Sequence, residues 1–286
     1  MDEKLAKRFH DLFLGSQGAH GQTNVQGRKR GGKQEASYSL VRAPLTVELI
    51  QKHLDGGLGV GSIPIDETNQ CYFGALDIDD YNLDLPLLFS KVKRFNLPLV
   101  TCRSKSGGAH LFLFLSEKVA ASEIRDRLAE FASALGWGNC EIFPKQEELL
   151  AERGDVGSFI NLPYQNAQYT TRYALKEDGE SLSLEEFLTV AEKSRITGKK
   201  LSEVILGGDN EVLQDGPPCL QKLTEFGIPE GGRNVTLLNV GVYYKQFAPQ
   251  GWRELLEKHN QEYCNPPIPA REVVVIQQQL DKKEYF

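Results

Sequence analysis

Cys71-Tyr72-Phe73-Gly74-Ala75-Leu76-Asp77-Ile78-Asp79 is the stretch on which the reading of this chain turns. A short apolar run of this kind reads as a buried strand. It ends in two carboxylates two residues apart. Side chains alternate across a strand, so Asp77 and Asp79 share one face and Ile78 points to the other.

The pattern stays regular downstream. Residues 83–95 read as a helix, 98–103 as a strand and 104–109 as a Gly-rich turn. His110-Leu111-Phe112-Leu113-Phe114-Leu115 reads as a further strand. In residues 121–135, Ile124, Leu128, Phe131, Ala132 and Leu135 fall at helical spacing, and Gly136 ends the helix. Residues 140–143 make a short strand carrying Glu141. The order is β-α-β-β-α-β, the split βαβ or ferredoxin-like unit. In that arrangement the first strand lies between the third and the fourth, antiparallel to both. The end of the first strand then adjoins the starts of the other two, and Asp77, Asp79, His110 and Glu141 are expected at one sheet edge.

Around this core, residues 1–15 read as a short helix with Leu5, Phe9, Leu12 and Phe13 on one face. Residues 15–37, rich in Gly, Gln and Ser, read as a loop. That loop holds a basic knot, with Arg28, Lys29, Arg30 and Lys33 as candidate phosphate contacts. Thr46 is placed to cap a helix running to Leu54. Residues 157–175 read as a further strand pair. A helix follows from Ser183 to about Ser194, with Ser183 and Glu186 at capping-box positions. Gly207-Gly208-Asp209-Asn210 and Gly216-Pro217-Pro218 mark a linker, and residues 218–286 read as a separate helical module.

The chain has 286 residues, 40% hydrophobic and 25% charged, an ordinary globular composition. A net charge of −6 excludes coating of nucleic acid by bulk charge and leaves room for a local basic groove. Cys71, Cys102, Cys140, Cys219 and Cys264 form no C-x-x-C pair, so we expect reduced thiols, no zinc site and a cytoplasmic setting. The N-terminus lacks the apolar core of a signal peptide, and no stretch approaches the ~20 apolar residues of a membrane span.

Two carboxylates on one strand face, with Glu141 as a third, are hard oxygen donors suited to Mg²⁺ or Mn²⁺, one ion or a pair. Ser104-Lys105-Ser106-Gly107-Gly108 has the composition of an anion cradle without being a Walker A loop, since G-x-x-x-x-G-K-S/T is absent. His110 directly follows it. Lys145, Gln146 and Arg172 are further candidates for phosphate or template. Taken singly, each of these residues has an ordinary structural reading; their common position gives them weight.

Together the residues resemble the archaeo-eukaryotic primase superfamily, within it the bacterial, phage and plasmid primase-polymerases. The motifs are Asp77-Ile78-Asp79, Ser106-Gly107-Gly108-Ala109-His110 and Glu141-Ile142-Phe143-Pro144-Lys145-Gln146. The lead-in Arg103-Ser104-Lys105-Ser106-Gly107-Gly108 and the segment Gly157-Ser158-Phe159-Ile160-Asn161-Leu162-Pro163-Tyr164 look like the bacterial branch. In the tail, Gly231-Gly232-Arg233-Asn234, Asn265-Pro266-Pro267, Glu272-Val273 and Lys282-Lys283-Glu284-Tyr285-Phe286 resemble the family's helical C-terminal module.

The resemblance implies an α+β fold: an RRM-like palm over residues 70–207, an N-terminal α/β subdomain over 1–69, and a helical module over 218–286. It implies primer synthesis and extension on single-stranded DNA, with Asp77, Asp79 and Glu141 as catalytic metal ligands for Mg²⁺ or Mn²⁺. Arg103, Lys105, Ser106, Gly107, Gly108, His110 and Arg172 would bind the nucleoside triphosphate. Arg28, Lys29, Arg30, Lys33, Lys145, Gln146 and Asn161 are weaker nucleic-acid candidates. A helicase domain or subunit is an expected partner, and a membrane is not. Two rival readings stand beside it. One is a non-catalytic RRM-like module binding a single strand through Phe112 and Phe114 on an open sheet face. The other is a different D-x-D metal enzyme, such as a nuclease or sugar-nucleotide transferase.

Overall fold

The computed structural model describes residues 2–30, 33–80, 82–176, 179–204, 213 and 216–283, and their side chains apart from those of 24–30, 33–37, 151, 225, 226 and 247. The basic knot's side chains, the linker residues 207–210 and the terminal 284–286 lie outside that description. The chain divides into two compact units, Met1–Ala132 with Trp137–Ile205, and Ser133–Gly136 with Leu206–Phe286.

The first unit opens with α1 (Glu3–Leu12), whose N-cap Asp2 accepts the Lys4 N–H at 2.9 Å. The strands β1 (His20–Arg30) and β2 (Lys33–Val41) follow as an antiparallel hairpin. The loop expected over 15–37 is thus mostly strand. Its glycines and basic residues hid the ladder, because the pairing partner rather than local propensity decides such a segment. Next come α2 (Val47–Leu54), capped by Thr46 as expected, and β3 (Gly59–Ser62). The palm is β4 (Gln70–Ile78), α3 (Leu85–Arg94), β5 (Leu99–Arg103), β6 (Ala109–Ala120), α4 (Ala121–Leu135) and β7 (Glu141–Phe143). After it come β8 (Ile160–Asn161), α5 (Leu184–Lys193) with the Ser183–Glu186 capping box, and α6 (Gly198–Glu203).

The palm sheet has the order β5-β6-β4-β7, with β4 antiparallel to both neighbours, as the ferredoxin-like unit requires. The second sheet has the order β2-β1-β3-β8. The strand pair expected over 157–175 is not formed as such: β8 joins β3 of the second sheet, and Ala174 bridges Cys102 at the palm edge.

One palm face packs on helices; the position a Gly74 Cβ would take lies 2.7 Å from Ile124 and 2.9 Å from Leu128 of α4. The other face carries Phe73, Phe112 and Phe114, all fully buried. Phe13, just past α1, sits edge-on to these three rings at 5.4, 5.2 and 5.4 Å between centroids. Ile50 and Leu54 of α2, Val60 of β3, Ile160 of β8 and Phe187 of α5 join the same core. The face on which Phe112 and Phe114 were to stack bases is therefore closed, which removes the rival reading that depended on them.

The second unit contains α7 (Pro218–Phe226), β9 (Ile228–Pro229), α8 (Arg233–Phe247), α9 (Trp252–Tyr263), β10 (Cys264–Asn265) and α10 (Ala270–Lys282), with β9 and β10 paired parallel. Leu237, Val240, Leu256 and Leu280 centre its core. Its basic residues serve that unit: Arg233 donates to the Pro266 carbonyl, Lys245 to the Leu280 carbonyl, and Arg253 pairs with Asp281 at 2.8 Å. No helix among the described residues is long and apolar enough to cross a membrane.

His53 is fully buried in the first unit. Its Nδ1 accepts the Val60 N–H at 3.1 Å and its Nε2 donates to the Pro163 carbonyl at 2.8 Å. A second ring proton would point at the Val60 N–H. Burial pushes the imidazole down to about 4, with the Arg172 charge adding to the effect. Between that value and the ordinary ~6.5 the folded state binds fewer protons than the unfolded chain, so stability falls as pH falls through this window. His53 should make the unit roughly 2 kcal/mol less stable at pH 5 than at pH 7. An NMR titration checks this: the His53 ring should not protonate above pH 5, and a midpoint near 6.5 would refute it.

Candidate active site

One cross-strand row of the palm holds Cys102 of β5, His110 of β6, Asp77 of β4 and Glu141 of β7 in register. Antiparallel partners point to the same face, so this row continues the aromatic face beyond Phe112 and Ala75 with polar groups. His110 Nε2 lies 3.3 Å from Asp77 Oδ1, and the His110 ring rests edge-on against Phe112. Only about a tenth of the His110 side chain is exposed, so the wall beneath the carboxylate is largely dry.

The Ser104–Gly108 turn is fitted to the end of β4. A Cβ on Gly108 would stand 2.1 Å from the Ile78 carbonyl oxygen and 3.3 Å from the Asp80 nitrogen, so only glycine permits this approach. Gly107 adopts φ +102°, a region that glycine enters without strain. The turn closes through the Ser104 N–H donating to the Gly108 carbonyl at 2.8 Å. Ser106 Oγ donates to Asp79 Oδ1 at 3.1 Å, and the Ser104 and Ser106 hydroxyls lie 3.2 Å apart. Asp79, one residue past the strand, is exposed.

Three cations flank the turn. Arg103 Nη1 donates to the Thr171 carbonyl at 3.0 Å, and Arg103 Nη2 lies 3.7 Å from where a Gly107 Cβ would be. Arg172 is only 6% exposed, and its Nη1 has no hydrogen-bond partner. Burial lowers the pKa of Lys105, and the neighbouring Arg172 lowers it further. Burial also lowers Arg172 itself. The turn is thus flanked by neighbouring cations, one of them nine-tenths buried with an unmet N–H.

The other expected residues are placed differently. Lys145 Nζ pairs with Glu141 Oε2 at 2.8 Å and lies over the Phe143 ring. Gln146 exchanges hydrogen bonds with Ser158, donating to its hydroxyl at 3.1 Å and accepting its N–H at 3.2 Å, and so fastens the intervening loop. Asn161 accepts from Thr23 Oγ1 at 3.0 Å within the second sheet. Cys140, which sequence reasoning left as a structural thiol, borders the acidic row; burial, Asp77 and Glu141 push its pKa up to about 11. Ser104, buried beside Ser106, belongs to the turn as well.

The donors suit a hard divalent cation in kind: carboxylates at Asp77, Asp79 and Glu141, with the first and last in one row. Each is engaged by a donor of the chain itself, namely His110, Ser106 and Lys145. No three His, Cys, Asp or Glu side chains among the described residues stand close enough to enclose an ion.

The fold and the family match place the chain in the class of archaeo-eukaryotic primase domains, a primase-like nucleotidyl transfer superfamily. Residues 20–200 match the family described as "TOTE conflict system, Archaeo-Eukaryotic Primase domain", and the chain belongs to it. Among solved structures it is similar to the primase-polymerase AEP domain of cyanophage S-2L, at 15% identity and TM-score 0.38, covering 66% of this chain and 98% of that one. It is also similar to primase RepB′, at 10% identity and TM-score 0.33, covering 98% and 99%. No curated protein matches it.

Replacing Gly108 by alanine should lower the unfolding free energy by roughly 1–3 kcal/mol, because the new methyl group meets the backbone of Ile78. Urea denaturation checks this; unchanged stability would mean that the turn does not press on the strand end.

Proposed function

We propose that this chain is a metal-dependent primase-polymerase that joins nucleoside triphosphates on a single-stranded DNA template. The observation that carries the reading is the neighbouring of opposites. An acidic row lies on one side of the Ser104–Gly108 turn, and on the other lie the partly dry cations Lys105 and Arg172, the latter with a buried N–H that has no hydrogen-bond partner. A triphosphate supplies what the cations lack, and its reacting end belongs at the carboxylates.

Asp77, Asp79 and Glu141 would hold Mg²⁺ or Mn²⁺, which supplies charge neutralisation for the attacking hydroxyl and the leaving pyrophosphate. Lys105 and Arg172 bind phosphate oxygens. Arg103 lines the same turn. His110, held between Phe112 and Asp77, offers an imidazole N–H once a ligand separates it from the carboxylate. Ser106, released from Asp79, turns its hydroxyl to the phosphate. Glycines at 107 and 108 leave no side chain between the turn and an approaching anion. A helicase partner remains the expectation drawn from the family resemblance.

A gel assay on single-stranded DNA, with and without an annealed primer, tests the reading. In Mn²⁺ or Mg²⁺ the protein should elongate labelled strands, and Asp77→Ala/Asp79→Ala should reduce product at least a thousandfold with its circular dichroism unchanged. Synthesis persisting in that variant, or shortening of the strand instead of growth, would defeat the assignment.

Arg172→Leu separates binding from folding. Replacing a buried cation that has an unmet N–H with an apolar side chain should leave apo stability equal or higher. Lost charge-assisted hydrogen bonds should raise the nucleotide Kd about tenfold or more. Loss of stability with unchanged nucleotide affinity would make Arg172 a structural residue.

A further inference from the structure

β7 is a three-residue strand at the edge of the palm, and the chain that leaves it comes back to the carboxylate it carries. Glu141 Oε2 meets the Lys145 ammonium at 2.8 Å. That lysine is held from several sides. Arg125 of α4 donates through Nη1 to the Pro144 carbonyl at 2.6 Å and to the Lys145 carbonyl at 2.8 Å, which fixes the backbone on which the lysine stands. The ammonium lies over the Phe143 ring, 5.1 Å from its centroid. Gln146, the next residue, is fastened to Ser158 by two hydrogen bonds. An exposed ion pair between two free side chains contributes little, in part because both must be immobilised. Here the anchored backbone and the ring have already done much of that ordering.

Folding does not call for the pair. Phe143 is buried, and Ala75, Leu76 and Asp77 of β4 hold β7 along its whole length. The Glu141 side chain is 59% exposed, so an ion can reach its oxygens from solvent. The same register sets Glu141 opposite Asp77, so Lys145 brings a positive charge to the acidic row.

We propose that Lys145 is an internal counter-ion for the acidic row: it occupies Glu141 in the metal-free protein and competes with a divalent cation for that carboxylate. An ammonium and a divalent cation are alternative partners for one carboxylate oxygen, and at short range the lysine charge also repels the arriving ion. Lys145 thus sets how tightly the row takes its ion, a different task from the phosphate or template contact expected of it from sequence. The inference rests on the metal-site reading above and deepens it.

Titration of the full chain with Mn²⁺, followed through the electron paramagnetic resonance signal of the free ion and without nucleotide or DNA, tests it. Lys145→Met, which keeps an unbranched apolar stem beside Phe143, should tighten Mn²⁺ binding about fivefold with the thermal melt unchanged. Lys145→Arg keeps the charge and should stay within about twofold of the unaltered protein. In a Glu141→Gln background, Lys145→Met should move the affinity by less than about twofold, because the shared carboxylate is gone. Unchanged affinity in Lys145→Met, equal tightening by Lys145→Arg, or equal tightening with and without Glu141 would each overturn the counter-ion role. Mn²⁺ bound as tightly by Asp77→Ala/Asp79→Ala as by the unaltered protein would remove the metal-site reading and this inference together. Binding that is lost in that variant yet indifferent to Lys145→Met would remove this inference alone.

Discussion

Phe13 is the contact on which the first unit depends. It is 1% exposed and meets Phe73, Phe112 and Phe114 of the palm together with Phe9 and Phe187. Through it α1 covers a sheet face that would otherwise lie open to water, and two sheets share one core. Truncating a phenylalanine in such a position costs about 3–5 kcal/mol, a large part of a domain's total stability. The aromatic cover also sets where the site lies. The face remains apolar as far as Phe112 and Ala75, and the next row, His110-Asp77-Glu141, is the first in which polar groups appear.

The position of that row explains its electrostatics. His110 gains a dry wall from Phe112, and Asp77 an imidazole neighbour. Asp79 lies beyond the strand, exposed, where the Ser106 hydroxyl reaches it. The acidic and cationic halves are held apart by a turn that two glycines allow to press against β4. Each carboxylate has a neighbour from its own chain: His110 beside Asp77, Ser106 on Asp79 and Lys145 on Glu141.

The palm was legible because each of its elements announces itself locally. Apolar runs of strand length alternate with helices whose buried residues recur at 3.6-residue spacing, and Gly136 ends the second of those helices; outside the palm, Thr46 and Ser183 cap α2 and α5 in the same legible way. The antiparallel order that brings Asp77 beside His110 and Glu141 followed from topology. What escaped were features set by distant partners. The β1–β2 hairpin resembles a loop in composition, and only its ladder makes it a sheet. Phe112 and Phe114 had the right parity for an exposed face, but their cover comes from a helix about a hundred residues earlier in the chain. The near-complete burial of Arg172, the pairing of Lys145 with Glu141 and the fastening role of Gln146 are consequences of tertiary approach, which leaves no periodic trace.

β8 has a consequence for how the molecule comes into being. The second sheet takes its fourth strand from Ile160–Asn161, which pairs with Gly61 and Ser62 across the whole intervening palm. During synthesis from the N-terminus, the first three strands of that sheet emerge with an unfilled edge and wait until the palm has left the ribosome. Contacts so distant in sequence are slow to form. The palm, by contrast, is a nearly continuous segment with short connections. Arg172 lies beyond β8 in the chain, so the cluster of cations beside the Ser104–Gly108 turn is complete only after β8 has been synthesised.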